Sequence, residues 1–170
     1  MSRLESGRLH LKRDWCDMRE IIGVAAQRLA SCLAERPLTI DVQPDLSLIR
    51  LDFVLIEQVL VNLLDNACAY TPPGTRVQIQ AREQNKWCEL TLSNDGPPIP
   101  APDMERIFDK FYRLPGTAVT GTGLGLPISR GLVEAHGGTL AAENLPAGGV
   151  RFTIRLPMPD EPPPVQEARS

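Results

Sequence analysis

The sequence predicts a two-layer α/β sandwich of the α+β class, in which a mixed, mostly antiparallel sheet carries about three helices on one face. Apolar residues recur at helical spacing in three separate stretches. Alternating segments come in pairs between those stretches, and glycine and proline mark the junctions.

Asp17 is a good N-cap for the first helix, read over 18–35. Ile21, Ile22, Ala25, Leu29 and Leu33 share its inner face before Pro37 stops the pattern. Residues 38–42 and 46–51 alternate and read as strands of the sheet. Asp52 can cap a second helix over 53–70, which ends at Thr71 and the Pro72-Pro73-Gly74 turn. Segments 76–82 and 88–93 form a hairpin around the polar turn Glu83-Gln84-Asn85-Lys86. A short amphipathic piece follows over 103–113, with Phe108 and Phe111 expected to pack inward. A glycine-rich loop then leads into a third helix over 127–136, opened by Pro127 and ended by Gly137-Gly138. Strands at 139–144 and 149–156 complete the set. Residues 1–14 read as the tail of an upstream region and a connector, 15–157 as the folded domain, and the proline-rich 158–170 as a disordered tail.

Composition narrows the function classes. A net charge of −3 argues against a nucleic-acid partner, which would call for a basic face. No apolar run approaches the roughly 20 residues of a membrane span, so this segment does not itself cross a membrane. Cys16, Cys32, Cys68 and Cys88 form no CxxC pair and no ligand cluster with His10 and His136. They read as small buried or half-buried side chains in a reducing cytosol.

Four motifs carry the chemistry. Asn62 and Asn66, in NLLDNA, stand at i and i+4 on one helix face continued by Gln58 and Tyr70. An asparagine oxygen is a hard neutral ligand suited to a magnesium ion that bridges phosphates. Asn94-Asp95-Gly96-Pro97-Pro98-Ile99 directly follows a strand. A polar side chain there can bond a purine amine, and a neighbouring glycine admits the ring close to the backbone. Ile107 to Arg113 brings Lys110 and Arg113, cations able to reach phosphates. Gly121-Thr122-Gly123-Leu124-Gly125-Leu126 precedes a helix, so its amides and the helix dipole can hold an anion. It is no Walker A loop, because no Lys-Ser/Thr pair follows.

In this order the motifs resemble the N, G1, F and G2 boxes of the Bergerat-fold (GHKL) ATPases, specifically the histidine-kinase branch. The phrases NLLDNA, IFDKFYR, GTGLGLPISRGLVEAHGG and GGVRFTIRLP carry the likeness, which runs from about Asp17 to Leu156. Within that branch the opening MSRLESGRLHLKRDW and the later LSLIRLD resemble the Kdp-type potassium-responsive sensor kinases.

The resemblance implies an ATP-binding catalytic domain of a two-component sensor kinase, transferring the γ-phosphoryl group to a histidine. It implies ATP and Mg²⁺ as cofactors. Asn66 would hold the metal with Asn62 nearby, and Tyr70 would stack near the adenine. Asn94, Gly96 and Ile99 would line the base pocket, with Thr153 at its floor. Gly121, Thr122, Gly123, Leu124, Gly125 and Leu126 would wrap the phosphates under a lid over 114–122. The implied partners are a dimerisation domain bearing the acceptor histidine and a cognate response regulator. The whole protein would be a homodimer with this domain in the cytosol below a membrane anchor. No acceptor segment occurs here, and His10 and His136 read as structural or surface residues.

Three departures stand out. Asn94 replaces the usual aspartate, Pro98 replaces a glycine, and Ala69 replaces a lysine near the phosphates. They raise the alternative of a degenerate nucleotide-binding or regulator-docking module without efficient phosphotransfer. Asn62 stands where the chaperone and mismatch-repair ATPases carry a catalytic glutamate, so ATP hydrolysis without an acceptor is expected to be slow.

Overall fold

Two aspartates start the first two long helices. A computed structural model describes residues 10–112 and 125–159 of the chain. Asp17 is extended, and its side chain accepts from the Arg19 amide at the head of α1 (Met18–Arg28). Asp52 does the same for Leu55 in α3 (Phe53–Tyr70), at 3.2 Å. Its second carboxylate oxygen accepts from the Lys12 amide at 3.0 Å, which ties the connector onto the domain.

The expected helix over 18–35 breaks at Leu29, where the backbone leaves helical geometry, and resumes as α2 (Ala30–Leu33). The break lets the second piece turn toward the end of α3. The strands are β1 (Asp14–Cys16), β2 (Leu38–Val42), β3 (Ile49–Leu51), β4 (Val77–Gln84), β5 (Trp87–Asn94), β6 (Thr139–Asn144) and β7 (Val150–Pro157). A 3-10 turn covers Ala101–Asp103, and α4 covers Gly125–Ala135.

The main sheet runs β2-β4-β5-β7-β6, with β2 parallel to β4 and the other pairs antiparallel. The mixed, mostly antiparallel sheet is as expected. Segment 46–51 is not part of it. Only its last three residues are strand, and β3 pairs antiparallel with β1 in a separate two-stranded ribbon. The β4–β5 turn is also tighter than expected. Asn85 and Lys86 alone make it, both left-handed at φ 52° and 63°, which matches the twist of paired strands.

Alternation decides which face of the sheet is covered. Val77, Ile79 and Ala81, Leu90 and Leu92, and Phe152, Ile154 and Leu156 all point to the helices and are buried. They meet Ile21 and Ile22 of α1, Leu60, Leu63 and Leu64 of α3, and Leu132 and Val133 of α4. Each buried Val, Leu, Ile or Phe among them contributes roughly 1.5–3 kcal/mol.

Three further expectations change, two of them at the edges of the domain. Asp14 pairs with Leu51, so the connector's end belongs to the domain. Met158, assigned to the tail, is buried, and its amide donates to the Lys86 carbonyl at 2.7 Å. Cys32 on α2 and Cys68 on α3 are joined as a disulfide, with Cα atoms 6.1 Å apart, rather than standing as separate thiols. Cys16 and Cys88 are free and buried, and burial pushes the Cys88 thiol up to about 12.

Candidate functional site

A cavity of about 260 Å³ lies between the last turns of α3 and the loop that follows β5. Asn66, Ala67, Tyr70 and Thr71 form one wall, and Asn94 with Pro97, Pro98, Ile99 and Pro100 forms the other. Val150 and Phe152 of β7 supply the floor. The slot is largely apolar, with a few amide and hydroxyl groups at its sides, which suits a flat heteroaromatic ring.

Several contacts fix the loop wall. The Asn94 side-chain oxygen accepts from the Gly96 amide at 2.9 Å, so the turn is set by its own first residue. That oxygen keeps a second acceptor site, and the amide nitrogen remains a donor. Asp95 points away from the cavity and accepts from the Arg76 amide at 2.7 Å. Farther along, Asn144 of β6 clamps the Ile99 backbone from both sides, accepting from its N–H at 2.8 Å and donating to its carbonyl at 2.7 Å.

Two glycines allow this packing. A Cβ on Gly96 would stand 2.7 Å from the Thr71 methyl carbon, so the loop and the end of α3 touch through that gap. A Cβ on Gly149 would lie 1.9 Å from the Asn94 carbonyl oxygen, and φ is +105° there.

The other wall is fastened from behind by Arg36, which is only 7% exposed. Its Nη2 donates to the Cys68 carbonyl at 3.0 Å and to the Thr71 carbonyl at 2.5 Å, and its Nε donates to the Thr71 hydroxyl at 3.0 Å. A cation bonded to the final carbonyls of a helix satisfies orphan acceptors and complements the dipole. The Thr71 hydroxyl itself donates to the Ala67 carbonyl at 2.6 Å.

The expected site residues divide into groups. Asn66, Tyr70, Asn94 and Ile99 converge on the cavity, with Gly96 packed just behind. Asn62 stands one turn away, and its amide links two helices. The oxygen accepts from Gln58 at 2.8 Å, while the nitrogen donates to the Ser129 hydroxyl at 3.1 Å and the Gly125 carbonyl at 3.3 Å. Gly125 and Leu126 open α4 on that side. Lys110 is exposed. Arg113, Gly121, Thr122, Gly123 and Leu124, and the expected lid over 114–122, lie outside the described residues.

Two expectations are corrected. Thr153 is not at the pocket floor. Strand alternation turns it to the opposite face, in register with Thr91 and Ala141, and Phe152 takes the floor. Phe111 does not pack inward. It is 68% exposed with φ of 65°, whereas Phe108 is partly buried under the Arg130 guanidinium at 4.2 Å. Tyr112 is held instead, donating its hydroxyl proton to Asp103, and that bond raises its pKa.

Sequence reasoning missed Arg36, Asn144 and Phe152. Phe152 was recoverable from the alternation of its strand. The other two act across 35 and 45 residues of chain, and no local pattern marks them.

With fold and cavity in place, comparison with known proteins defines the class. The profile of the family described as "Histidine kinase-, DNA gyrase B-, and HSP90-like ATPase" matches residues 51–160, and the chain belongs to that family as an ATP-binding catalytic domain of the sensor histidine-kinase type. More particularly, it is 39% identical over 163 residues to the sensor protein KdpD of Escherichia coli strain K12, covering 95% of this chain and 18% of that protein. The chain thus spans about a fifth of that relative's length. Among solved structures, the mycobacterial sensor histidine kinase MprB superposes with a TM-score of 0.77 at 28% identity, over 89% of this chain and 99% of that one. Histidine kinase ThkA, solved in complex with the response regulator protein TrrA, gives 0.76 at 25% identity, over 91% and 45%. The resemblance to the Kdp-type sensors and the sandwich fold both agree with these relatives.

Proposed function

We propose that the cavity between α3 and the 94–100 loop receives the adenine of ATP, and that this domain delivers the γ-phosphoryl group to a histidine on a dimerisation domain outside this chain. The observation that carries the reading is the pairing of an apolar slot with Asn66 at its edge. Tyr70, Ile99 and Phe152 offer flat or branched apolar surface to a purine. The Asn94 oxygen accepts from the exocyclic amine through its second lone pair. Gly125 and Leu126, with Gly121 to Leu124, are the proposed phosphate-wrapping segment, and Lys110 and Arg113 the proposed cations.

Among the described residues no group of three His, Cys, Asp or Glu side chains is placed to hold a metal. The chemistry of the donor set nevertheless fits Mg²⁺. The Asn66 amide has no hydrogen-bond partner among the described residues and presents a neutral oxygen at the cavity edge. Asn66 would hold such an ion, which would supply positive charge to offset the charge that develops during transfer. Asn62 positions rather than ligates, since its amide is spent on Gln58, Gly125 and Ser129.

We further propose a homodimeric, membrane-anchored whole protein with this domain in the cytosol, and a response regulator as its downstream partner. The ThkA–TrrA complex supports the last point.

The test is titration with the non-hydrolysable analogue AMPPNP, with and without Mg²⁺, on the wild type and Asn66→Ala. The wild type should bind more tightly with Mg²⁺, and the variant should lose that gain. Mixing the domain with a separately supplied dimerisation domain should then yield phosphohistidine. An affinity weaker than millimolar with Mg²⁺ present would overturn the binding claim.

A further inference from the structure

Of the four cysteines, Cys32 and Cys68 are the half-buried pair, and Cys16 and Cys88 are sealed in the core. The pair joins α2 to the last turns of α3 across 36 residues of sequence. We propose that Cys32 and Cys68 are a reversible redox site, and that their bond sets how tightly the adjacent cavity holds its nucleotide. The proposal rests on the nucleotide-binding reading above.

The geometry links the bond to the cavity. Cys68 stands two residues from Asn66 and two from Tyr70, and both of these line the slot. Thr71 lines it as well and touches the Gly96 loop. The last turn of α3 is therefore held to α2 and the segment just after it by two devices. One is the disulfide, and the other is the set of Arg36 hydrogen bonds to Cys68 and Thr71. Reduction removes the covalent tie and leaves the polar one. A wall that is no longer cross-linked must be ordered by the nucleotide itself, which weakens binding.

The chemistry favours exchange at Cys32. The Arg36 Nη1 lies 3.5 Å from the Cys32 sulfur and 3.2 Å from its carbonyl oxygen. A guanidinium beside a sulfur stabilises the thiolate, which is the attacking form. The oxidant is a low-molecular-weight disulfide such as oxidised glutathione. The Cys32 thiolate attacks one sulfur of that disulfide, forming a mixed disulfide and expelling one glutathione thiolate. The Cys68 thiolate then attacks the Cys32 sulfur, forming the internal bond and expelling the second. The two cysteines lose two electrons together, the small disulfide gains them, and the two thiol protons leave with the departing thiolates. Disulfides of cytosolic proteins are mostly transient and redox-sensing, and that is the use assigned here.

The test uses the full chain after incubation with oxidised glutathione or with dithiothreitol. Alkylation under denaturing conditions and intact mass measurement should count two modified cysteines in the first case and four in the second. Titration with Mg²⁺–AMPPNP should show the reduced form binding roughly three- to tenfold more weakly. Cys32→Ser and Cys68→Ser should each bind like the reduced wild type and form no internal bond, and Cys68→Ser should retain a glutathione mixed disulfide on Cys32. Four alkylated cysteines after oxidation, or equal affinities in the two states, would overturn the proposal. If the bond forms but neither state binds nucleotide, the nucleotide reading falls and takes the coupling with it.

Discussion

Asn144 holds Ile99 by two reciprocal hydrogen bonds, so a β6 side chain fixes the backbone of a loop 45 residues earlier. The clamp sits where the loop bounds the cavity. Asn144→Ala should therefore destabilise the domain by about 1–2 kcal/mol and lower Tm by a few degrees. It should also weaken AMPPNP binding several-fold, because the loop must then be ordered on binding. Asn144→Asp keeps the acceptor and loses the donor, and it should fall between wild type and alanine. Thermal melts and calorimetric titration of the three proteins check the order.

Asn62 and Asn66 should separate cleanly. Asn62→Ala removes bonds to Gln58, Gly125 and Ser129 and should cost about 1–3 kcal/mol of stability. Asn66→Ala should leave Tm within about 1 °C of the wild type, since surface changes outside packed or bonded positions rarely exceed ±0.5 kcal/mol. It should instead abolish the Mg²⁺ dependence of nucleotide binding. A large Tm drop in Asn66→Ala would contradict this division.

Glycine substitutions test the close approach of chains under the cavity. Gly149→Ala forces a Cβ against the Asn94 carbonyl at φ +105° and should cost roughly 2 kcal/mol or more. A Cβ added to Gly23, inside α1, would meet nothing within 4 Å. Gly23→Ala should stabilise by about 0.5–1 kcal/mol through helix propensity alone. Chemical denaturation at fixed pH reads both signs.

His136 predicts a pH dependence. Its Nε2 accepts from the Asp52 amide at 3.1 Å, its Nδ1 bonds the Leu132 carbonyl at 2.8 Å, and only 3% of the residue is exposed. Burial lowers its pKa below 6.5, with the Leu132 bond opposing and Arg13 adding to the fall. The unfolded chain then binds a proton that the folded one refuses. Stability is full above about 6.5 and declines as pH falls below it, until the folded imidazole also titrates. Melts from pH 7.5 to 5.5 should show Tm falling, with the slope reduced in His136→Gln.

Local chemistry was legible where one residue or one short window decides the outcome. The Asp17 and Asp52 caps and the bounds of α3 and of β6 followed from spacing and turn residues, and Tyr70, Asn94 and Ile99, singled out by the resemblance, line one cavity. Segment 46–51 shows the limit. Its alternation marks an extended strand, yet nothing in it says whether its partner is β1 or the main sheet. Phe111 shows another, since a helical i, i+3 reading fails once the backbone turns left-handed at that residue.

By itself the sequence determined most of the elements, the order of the motifs and the family, because caps, periodicity and glycine placement are properties of neighbours along the chain. Tertiary structure alone decided that Cys32 meets Cys68, that Arg36 fastens the end of α3, and that Asn62 braces two helices while Asn66 borders the cavity. Those outcomes depend on where distant segments come to rest, and contacts between segments far apart in sequence are fixed by packing of the whole core.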